Sequence, residues 1–98
     1  MKAKAPPLEA TIEAAVVKYA KSKGMLVRKM NGLGNRGWPD RMFITKNGDI
    51  FWIEFKRKGG KLSPGQETTL QLLGEYRQTI YIVDAVDCGK QVVDLEAA

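Results

Sequence analysis

The first part of the chain has apolar residues at every third or fourth position. This spacing places them on one face of a helix, which we predict from about Leu8 to Lys23. Gly24, directly after it, is typical of a helix end. The predicted buried stripe consists of Leu8, Ile12, Val16 and Tyr19/Ala20. The basic segment 1–7 before the helix is expected to be a flexible lead-in.

Short apolar runs replace this pattern in the middle of the chain and predict β-strands. The run from Met25 to Met30 predicts the first strand. Two further runs flank Asn47-Gly48, a dipeptide that strongly favours a tight turn, so we predict a hairpin from Asp40 to Arg57. The glycine-rich segment 31–37 between these strands is expected to be a mobile loop.

The second half of the chain begins with a helix start signal. Ser63 is a favourable N-cap, Pro64 suits the first helical position, and Gln66 can complete a capping box with Ser63. We predict a helix from there to about Arg77, followed by a strand from Thr79 to Val83.

The C-terminal segment is predicted to add an edge strand to the sheet. We expect residues 84–90 to form a turn, with one helical turn in it, and residues 91–95 to form the last strand. The main order of elements is α-β-β-β-α-β, and the chain has no internal repeat. We therefore predict one α/β domain over residues 1–98, with a central mixed sheet flanked by helices.

Composition narrows the chemistry that is available. The 98 residues include no histidine, which excludes an imidazole base and a histidine metal site. Cys88 is the single cysteine, so an intrachain disulfide and a cysteine-based zinc site are excluded, and a reduced, cytoplasmic setting is expected. No apolar run approaches the roughly 18 residues of a membrane span, and we expect no signal peptide. Any catalysis must therefore use carboxylates and lysine.

The predicted hairpin places charged groups on one of its faces. Side chains alternate along a strand, so Glu54 and Lys56 point to the same side. An acid in an interior strand is unfavourable without a partner, which suggests a function for Glu54. The opposite side of the strand is apolar and should face the core, since it carries Phe51, Ile53 and Phe55, with Phe43 across the hairpin.

The hairpin turn decides whether Asp40 lies on the same face as Glu54. A two-residue loop at Asn47-Gly48 would put the two carboxylates on opposite faces. A three-residue loop, with its glycine in the left-handed conformation, would pair Thr45 with Asp49 and set Asp40 directly opposite Glu54. Directly opposed Cβ atoms are about 4.5–5.5 Å apart, close enough for two carboxylates to share a metal ion. We therefore predict the three-residue turn, or a β-bulge that restores the same parity.

Two carboxylates beside a lysine suit metal-assisted hydrolysis of a phosphodiester. Mg²⁺ takes oxygen ligands, commonly one or two carboxylates together with water and phosphate oxygens. It activates water and neutralises charge on the scissile phosphate. Lys56, beside Asp40 and Glu54, could orient the attacking water or stabilise the negative charge that develops on the phosphate.

Several motifs of the chain, taken together, resemble a known group of nucleases. Pro39-Asp40 followed by Glu54-Phe55-Lys56 is similar to the PD-(D/E)XK superfamily, the restriction-endonuclease-like fold whose common core has the order α-β-β-β-α-β. Within it, the chain resembles the VRR-NUC family of virus-type replication-repair nucleases from about Leu8 to Val83. The matching segments are Glu9 to Glu13, Gly37 to Asp40, Ile53 to Lys56 and Leu62 to Gln66.

This resemblance implies a Mg²⁺- or Mn²⁺-dependent, structure-selective DNA endonuclease. Small members of the family look like phage proteins related to Holliday junction resolvases, which act as homodimers. The residues carried over by motif are Asp40 and Glu54 as metal ligands, Lys56 as the catalytic lysine, and Gln66 as the glutamine after that strand. An acid of the first helix would complete the site. It is either Glu13, which we favour as the third metal ligand, or Glu9.

Residues around these motifs are candidates for contacts with DNA. The net charge of +5 favours a polyanionic partner. Cations beside a metal site would bind phosphates without sequence specificity. Trp38 either packs in the core or stacks on a base. The candidate DNA-binding residues are Arg36, Trp38, Arg57, Lys58 and Lys61.

Two other functions fit the same sequence. The chain could be an exonuclease, or the nuclease subunit of a larger phage or restriction complex. It could also be a basic DNA-binding module without activity, whose acidic residues form a structural network. Magnesium separates enzyme from module, because only the enzyme would need it. The pattern of products separates an endonuclease from an exonuclease.

Overall fold

A four-stranded sheet with helices on both faces forms the fold. The computed structural model describes residues 7–32, 34 and 36–98, so the predicted lead-in lies outside the described residues except for Pro7. None of the described helices is long and apolar enough to cross a membrane. In chain order the elements are α1 (Glu9–Ser22), β1 (Leu26–Lys29), β2 (Arg41–Ile44), β3 (Ile50–Phe55), α2 (Pro64–Glu75), β4 (Thr79–Val83) and α3 (Val86–Ala97).

The sheet is mixed, as predicted. Its strand order is β1-β2-β3-β4. The pairs β1–β2 and β2–β3 are antiparallel, and the pair β3–β4 is parallel. Because parallel neighbours need a long connection, α2 forms the crossover between β3 and β4. The predicted fold class, an α/β core with a central mixed sheet flanked by helices, is confirmed.

The central strand β3 separates an apolar face of the sheet from a polar one, because its side chains alternate. The apolar face packs against α1 and α3 in the buried core and carries Phe51, Ile53 and Phe55. Phe43 of β2 stacks on Phe51 with 4.8 Å between the ring centroids, as predicted. The other face carries Trp52 and Glu54 and lies under α2, whose Gln66 contacts Glu54. Burying each large apolar side chain contributes about 1.5–3 kcal/mol.

The buried face of α1 begins one turn later than predicted. Leu8 is 62% exposed, because the helix begins at Glu9 and Leu8 lies outside it as the N-cap residue. The predicted burial of Leu8 is therefore wrong. The predicted end is confirmed, since Gly24 follows the last turn with a left-handed φ of 82°. The buried residues of α1 are Ile12, Val16, Val17 and Ala20.

The C-terminal segment is a helix, and the predicted edge strand at 91–95 is wrong. α3 covers that segment together with most of the predicted turn at 84–90. Gly89, Val92 and Val93 form its buried face at helical spacing. A short run with two valines fits either periodicity, and packing against α1 selects the helix. The two helices approach so closely that a Cβ on Gly89 would lie 2.3 Å from Val16.

The start of α2 has the predicted capping box. The backbone N–H of Gln66 donates to Ser63 Oγ at 3.2 Å, and the backbone N–H of Ser63 donates to Gln66 Oε1 at 2.9 Å. Pro64 occupies the first helical position, where its missing N–H is not needed. The cap therefore holds the Gln66 side chain at the first turn of α2, above the polar face of β3.

Candidate active site

The turn between β2 and β3 has the three-residue form that the site requires. The backbone N–H of Thr45 donates to Asp49 O at 2.9 Å, and Gly48 has a left-handed φ of 88°. The strand register pairs Arg41 with Ile53, so the next pair outward is Asp40 and Glu54. The predicted three-residue turn is confirmed, and the two carboxylates lie on one face.

Asp40 is held in place by hydrogen bonds to both of its carboxylate oxygens. The backbone N–H of Phe55 donates to Oδ2 at 2.7 Å, and the side-chain amide of Asn31 donates to Oδ1. The backbone N–H of Met30 also donates to the Asp40 carbonyl at 2.9 Å. Asn31 was not identified from the sequence, since an isolated asparagine in a glycine-rich loop has no distinguishing pattern.

Gln66 joins the two charged groups of the E-x-K motif. Its Nε2 donates to Glu54 Oε2 at 2.9 Å, while its Oε1 accepts from Lys56 Nζ at 3.0 Å. Lys56 Nζ also lies 3.5 Å from Glu54 Oε2. The same Oε1 accepts the capping hydrogen bond from Ser63. One side chain thus caps α2 and orients both the carboxylate and the ammonium group.

Burial makes the charged form of Glu54 unfavourable in the free protein. Its residue is only 3% exposed. Burial first, and then the nearby charge of Asp40, raise the pKa of Glu54 from 4.5 to about 7, against the opposing effect of Lys56. Burial likewise raises the pKa of Asp40 from 3.8, although the hydrogen bond from Phe55 opposes this. A cation between the two carboxylates would remove their repulsion.

The pair of carboxylates fits a catalytic Mg²⁺ or Mn²⁺ site better than a closed structural one. In the part of the chain that the structure describes, no three acidic, histidine or cysteine side chains converge closely enough to hold a metal ion. Mg²⁺ is commonly bound by one or two carboxylates, with water and phosphate oxygens completing the shell. Asp40 and Glu54 would supply these two carboxylates, since oxygen donors suit hard divalent cations.

The acids of α1 lie near this pair without joining it. Glu13 Oε2 accepts from Arg41 Nε at 2.6 Å, in an ion pair whose side chains are about one-fifth to one-quarter exposed. The charges of Glu13 and, to a smaller extent, Glu9 raise the pKa of Asp40. The structure therefore does not bring the three predicted metal ligands together, and Arg41 is a neighbour that the sequence did not reveal.

Comparisons with known proteins identify the family. No family model matches the chain. A solved structure titled "VRR_NUC domain" has the same fold, with a TM-score of 0.79 at 22% identity over 88% of this chain and 94% of that chain. The chain is also 30% identical over 79 residues to "Putative nuclease p44" of Acyrthosiphon pisum secondary endosymbiont phage 1, covering 81% of this chain and 85% of that protein.

The chain belongs to the VRR-NUC family of nucleases. The family resemblance of the four sequence motifs is thereby confirmed. Three of the motif residues, Glu54, Lys56 and Gln66, form one hydrogen-bonded group, and Asp40 lies across the hairpin from it. Their individual roles in this VRR-NUC protein stay predictions.

The predicted DNA-binding residues of this VRR-NUC protein border the site on two sides. Arg57, Lys58 and Lys61 are exposed in the loop that follows β3 directly after Lys56. Arg36 is exposed in the loop before Asp40. Trp38, in the same loop, is half-buried against Trp52 at 5.6 Å between ring centroids, so it has both a packed and an accessible side.

The loop that carries Trp38 and Asp40 needs glycine at position 37. Gly37 has a left-handed φ of 83°, and a Cβ there would lie 2.9 Å from both Gly65 O and Thr69 Oγ1 of α2. Only a residue without a side chain allows this close approach in that conformation. The glycine of the G-x-P-D motif therefore packs the loop onto α2 and places Asp40 at the site.

Proposed function

We propose that this VRR-NUC protein is a Mg²⁺- or Mn²⁺-dependent endonuclease that hydrolyses phosphodiester bonds in branched DNA, such as Holliday junctions. The observation that carries the proposal is the three-residue turn, which places Asp40 opposite Glu54 on the face that also presents Lys56. A stable hairpin does not require this arrangement of charges. The arrangement makes the charged form of Glu54 unfavourable in the free protein.

Asp40 and Glu54 are the residues that would hold the metal ion. When bound, the ion would supply an activated water molecule and positive charge beside the scissile phosphate. Asp40 is oriented for this role by Asn31 and by the backbone of Phe55. Each carboxylate oxygen has two lone pairs, so these hydrogen bonds leave acceptor capacity for a cation.

Lys56 and Gln66 would position the reacting groups. Lys56 Nζ has three donors, of which one is used by Gln66 Oε1 and another lies toward Glu54. The remaining donor can hold the attacking water or the phosphate oxygen on which negative charge develops. Gln66 holds the side chains of Lys56 and Glu54 in fixed positions relative to each other, and its own position is held by the cap of α2.

Glu13 is the more favourable candidate for a third acidic group. Its charge has a larger effect than that of Glu9 on the pKa of Asp40, and it is already fixed beside the site by Arg41. To join the metal shell, Glu13 would have to leave this ion pair when metal and DNA bind. Glu9 is exposed at the first residue of α1.

Charge and symmetry support the proposed substrate and assembly. The net charge of +5 and the exposed cations beside the site favour a nucleic acid backbone. Cutting both strands at a junction requires two sites, whereas one chain supplies one, so we propose an isologous homodimer. Because the 30% identical relative is a phage protein, we propose that the enzyme acts in the cytoplasm of an infected bacterium.

A cleavage panel tests the proposed function. The purified chain is incubated with a Holliday junction, a 5′ flap, a splayed arm and a linear duplex, each with Mg²⁺, Mn²⁺ or EDTA. We expect metal-dependent, symmetric nicks in the junction and little cleavage of the duplex. Asp40→Ala and Glu54→Ala should abolish cleavage and retain binding. Asp49→Ala, an exposed acid in the same hairpin, serves as the matched control and should remain active.

The outcomes separate this proposal from the alternatives. A ladder of products shortened from one end would identify an exonuclease. Binding of branched DNA without cleavage under any metal condition would identify a DNA-binding module. Activity with zinc alone, or activity that persists in Glu54→Ala, would contradict the proposed metal site.

A further inference from the structure

An apolar pocket lies beside the candidate active site, on the same face of the sheet. Its volume is about 480 Å³, which falls within the roughly 300–1,000 Å³ of ligand sites in proteins. It is formed where the loop before Asp40, the strand β3 and the end of α2 meet. The residues that line this aromatic pocket are Trp38, Trp52, Leu72, Leu73, Tyr76 and Gln78.

Aromatic and apolar surface in this pocket is open to solvent. Tyr76, at the C-terminal end of α2, is 72% exposed, and Leu72 is 48% exposed. The ring centroids of Trp38 and Trp52 are 5.6 Å apart with planes tilted by 55°. Clustered exposed apolar side chains of this kind mark a binding surface more often than isolated ones do. The aromatic pocket therefore has the character of a site for a flat, apolar ligand.

One polar group gives the aromatic pocket a directed hydrogen-bond donor. Trp52 Nε1 donates to Gln78 Oε1 at 2.9 Å, which fixes the orientation of the Gln78 amide. Among the described residues, Gln78 Nε2 makes no hydrogen bond, so it can donate to a ligand. Flat π-surfaces suit stacking on a nucleobase, and an amide donor suits the acceptor atoms on a base edge.

The aromatic pocket lies within one or two nucleotides of the proposed metal site. Trp52 precedes Glu54 by two residues on the same face, which is roughly 7 Å at a rise of about 3.3 Å per residue. Trp38 likewise precedes Asp40 by two residues. Two stacked base steps of a strand span a similar distance. Arg77 lies in sequence between the lining residues Tyr76 and Gln78 and is exposed, so it offers a positive charge to a passing phosphate backbone.

We propose that the aromatic pocket binds one unpaired nucleobase of the DNA, stacked on the exposed ring of Tyr76, next to the bond that is cut. This inference rests on the proposed nuclease function and names the feature of the substrate that the enzyme selects. A base in a continuous duplex would have to leave its stack and its partner to enter the pocket, whereas a base in the single strand of a fork or a flap is already unpaired. The pocket thus favours branched over linear DNA.

A second copy of the chain fits this surface less well. Stable protein interfaces bury about 800 Å² on each partner and involve roughly 20–30 residues a side. The aromatic pocket has six lining residues, two of which, Trp52 and Leu73, are buried. Its size suits a single ring system, and its arginine neighbour suits a phosphate.

The test compares an unpaired base with a paired one. Two DNA substrates of the same sequence carry 2-aminopurine, whose fluorescence reports stacking, either unpaired at a fork or paired in a duplex. Binding is measured in EDTA, so that no cleavage occurs. We expect the wild type to bind the fork at least tenfold more tightly and to change its 2-aminopurine fluorescence. Tyr76→Ala should reduce this preference by about fivefold to a hundredfold, the loss of one base stack.

Matched variants keep the test specific. Tyr76→Phe retains the ring and should retain the preference. Leu95→Ala removes a side chain that is 65% exposed on α3, on the other side of the sheet, and should change nothing. Thermal melts confirm that each variant is folded. Equal losses for fork and duplex in Tyr76→Ala, or no preference in the wild type, would overturn the pocket assignment.

Two further results distinguish this inference from the proposed function. A wild type that cuts a junction with Mg²⁺ but does not prefer the unpaired base would overturn the pocket assignment alone. A wild type that neither binds nor cuts any of these DNAs would overturn both. If Tyr76→Ala changes the sedimentation coefficient and leaves base preference intact, the surface belongs to a second copy of the chain and the inference is wrong.

Discussion

The two faces of the central sheet use alternate residues of one strand in opposite ways. On the face toward α1 and α3, β3 contributes Phe51 and Ile53 to a core from which water is excluded. On the face toward α2, it contributes Trp52 and Glu54 to a polar group and an open pocket. The first face stabilises the fold, whereas the second holds a buried acid whose charge opposes folding. Adjacent residues of β3 thus serve the stability of the fold on one face and the candidate active site on the other.

Substitution on the apolar face should have the largest effect on stability. Phe43 is fully buried and stacked on Phe51, so Phe43→Ala should lower the free energy of unfolding by about 3–5 kcal/mol. That is a large part of the roughly 5–15 kcal/mol of a typical domain. Urea unfolding measures the change. A loss below about 1 kcal/mol, which is the level of a surface substitution, would show that this face does not dominate stability.

Substitution of the acid on the polar face should instead stabilise the metal-free protein. The pKa of Glu54 is about 7 in the fold against 4.5 as its reference value, so the folded state binds more protons between these pH values. Stability therefore falls as the pH rises from 4.5 to 7, and the penalty is complete above pH 7. Glu54→Gln should remove this penalty and raise the free energy of unfolding at pH 8 by about 3 kcal/mol, since a shift of one pKa unit corresponds to about 1.36 kcal/mol.

Urea unfolding in EDTA at pH 8 and pH 4 checks this prediction. The difference between Glu54→Gln and the wild type should be large at pH 8 and should disappear near pH 4. Adding Mg²⁺ at pH 8 should raise the Tm of the wild type more than that of Glu54→Gln, since ligand binding stabilises only the state that binds it. A variant that is less stable than the wild type at pH 8 would contradict the separation of the two faces.

A pair of substitutions at the start of α2 should separate its cap from its function. Ser63→Ala removes the cap while leaving the contacts of Gln66 with Glu54 and Lys56, and should lower stability by about 1 kcal/mol with cleavage retained. Gln66→Ala should lower stability by a similar amount and reduce cleavage about 10–100-fold, as for groups that orient metal ligands. Equal cleavage by both variants would show that Gln66 serves the helix alone.

The parts of the structure that the sequence predicted are those governed by local chemistry. The turn follows from Gly48, whose left-handed conformation selects the three-residue form. The start of α2 follows from Ser63 and Gln66, which are close in sequence. Each of these features depends on at most five consecutive residues. Local rules therefore sufficed to place Asp40 opposite Glu54.

The parts that the sequence did not reveal depend on contacts between distant segments. The run around Val92 and Val93 fits a strand or a helix, and only packing against α1 decides. The ion pair of Glu13 with Arg41 joins residues 28 apart, and the hydrogen bond of Trp52 with Gln78 joins residues 26 apart. Neither leaves a periodic pattern, so the position of Glu13 and the aromatic pocket emerged only from the fold.

The smallest expected effect concerns Arg77, which lies two residues after the end of α2. Arg77 has a left-handed φ of 61°, and its backbone N–H donates to Gly74 O at 2.9 Å in a turn that delivers Gln78 to Trp52. A residue with a Cβ is unfavourable in this conformation, whereas glycine is not. Arg77→Gly should therefore raise the free energy of unfolding by about 1 kcal/mol. Arg77 is thus a second residue on this side of the sheet, after Glu54, that lowers the stability of the fold.

DNA binding measured at several salt concentrations tests whether the strained residue Arg77 binds a phosphate. If Arg77 binds a phosphate beside the aromatic pocket, Arg77→Gly should bind all DNAs more weakly and lower the slope of log affinity against log salt by about one. The control is Lys90→Ala, which removes one positive charge from α3 on the other side of the sheet. A more stable Arg77→Gly with unchanged salt dependence would mean that Arg77 caps the helix C-terminus only, where a cation is favourable in any case.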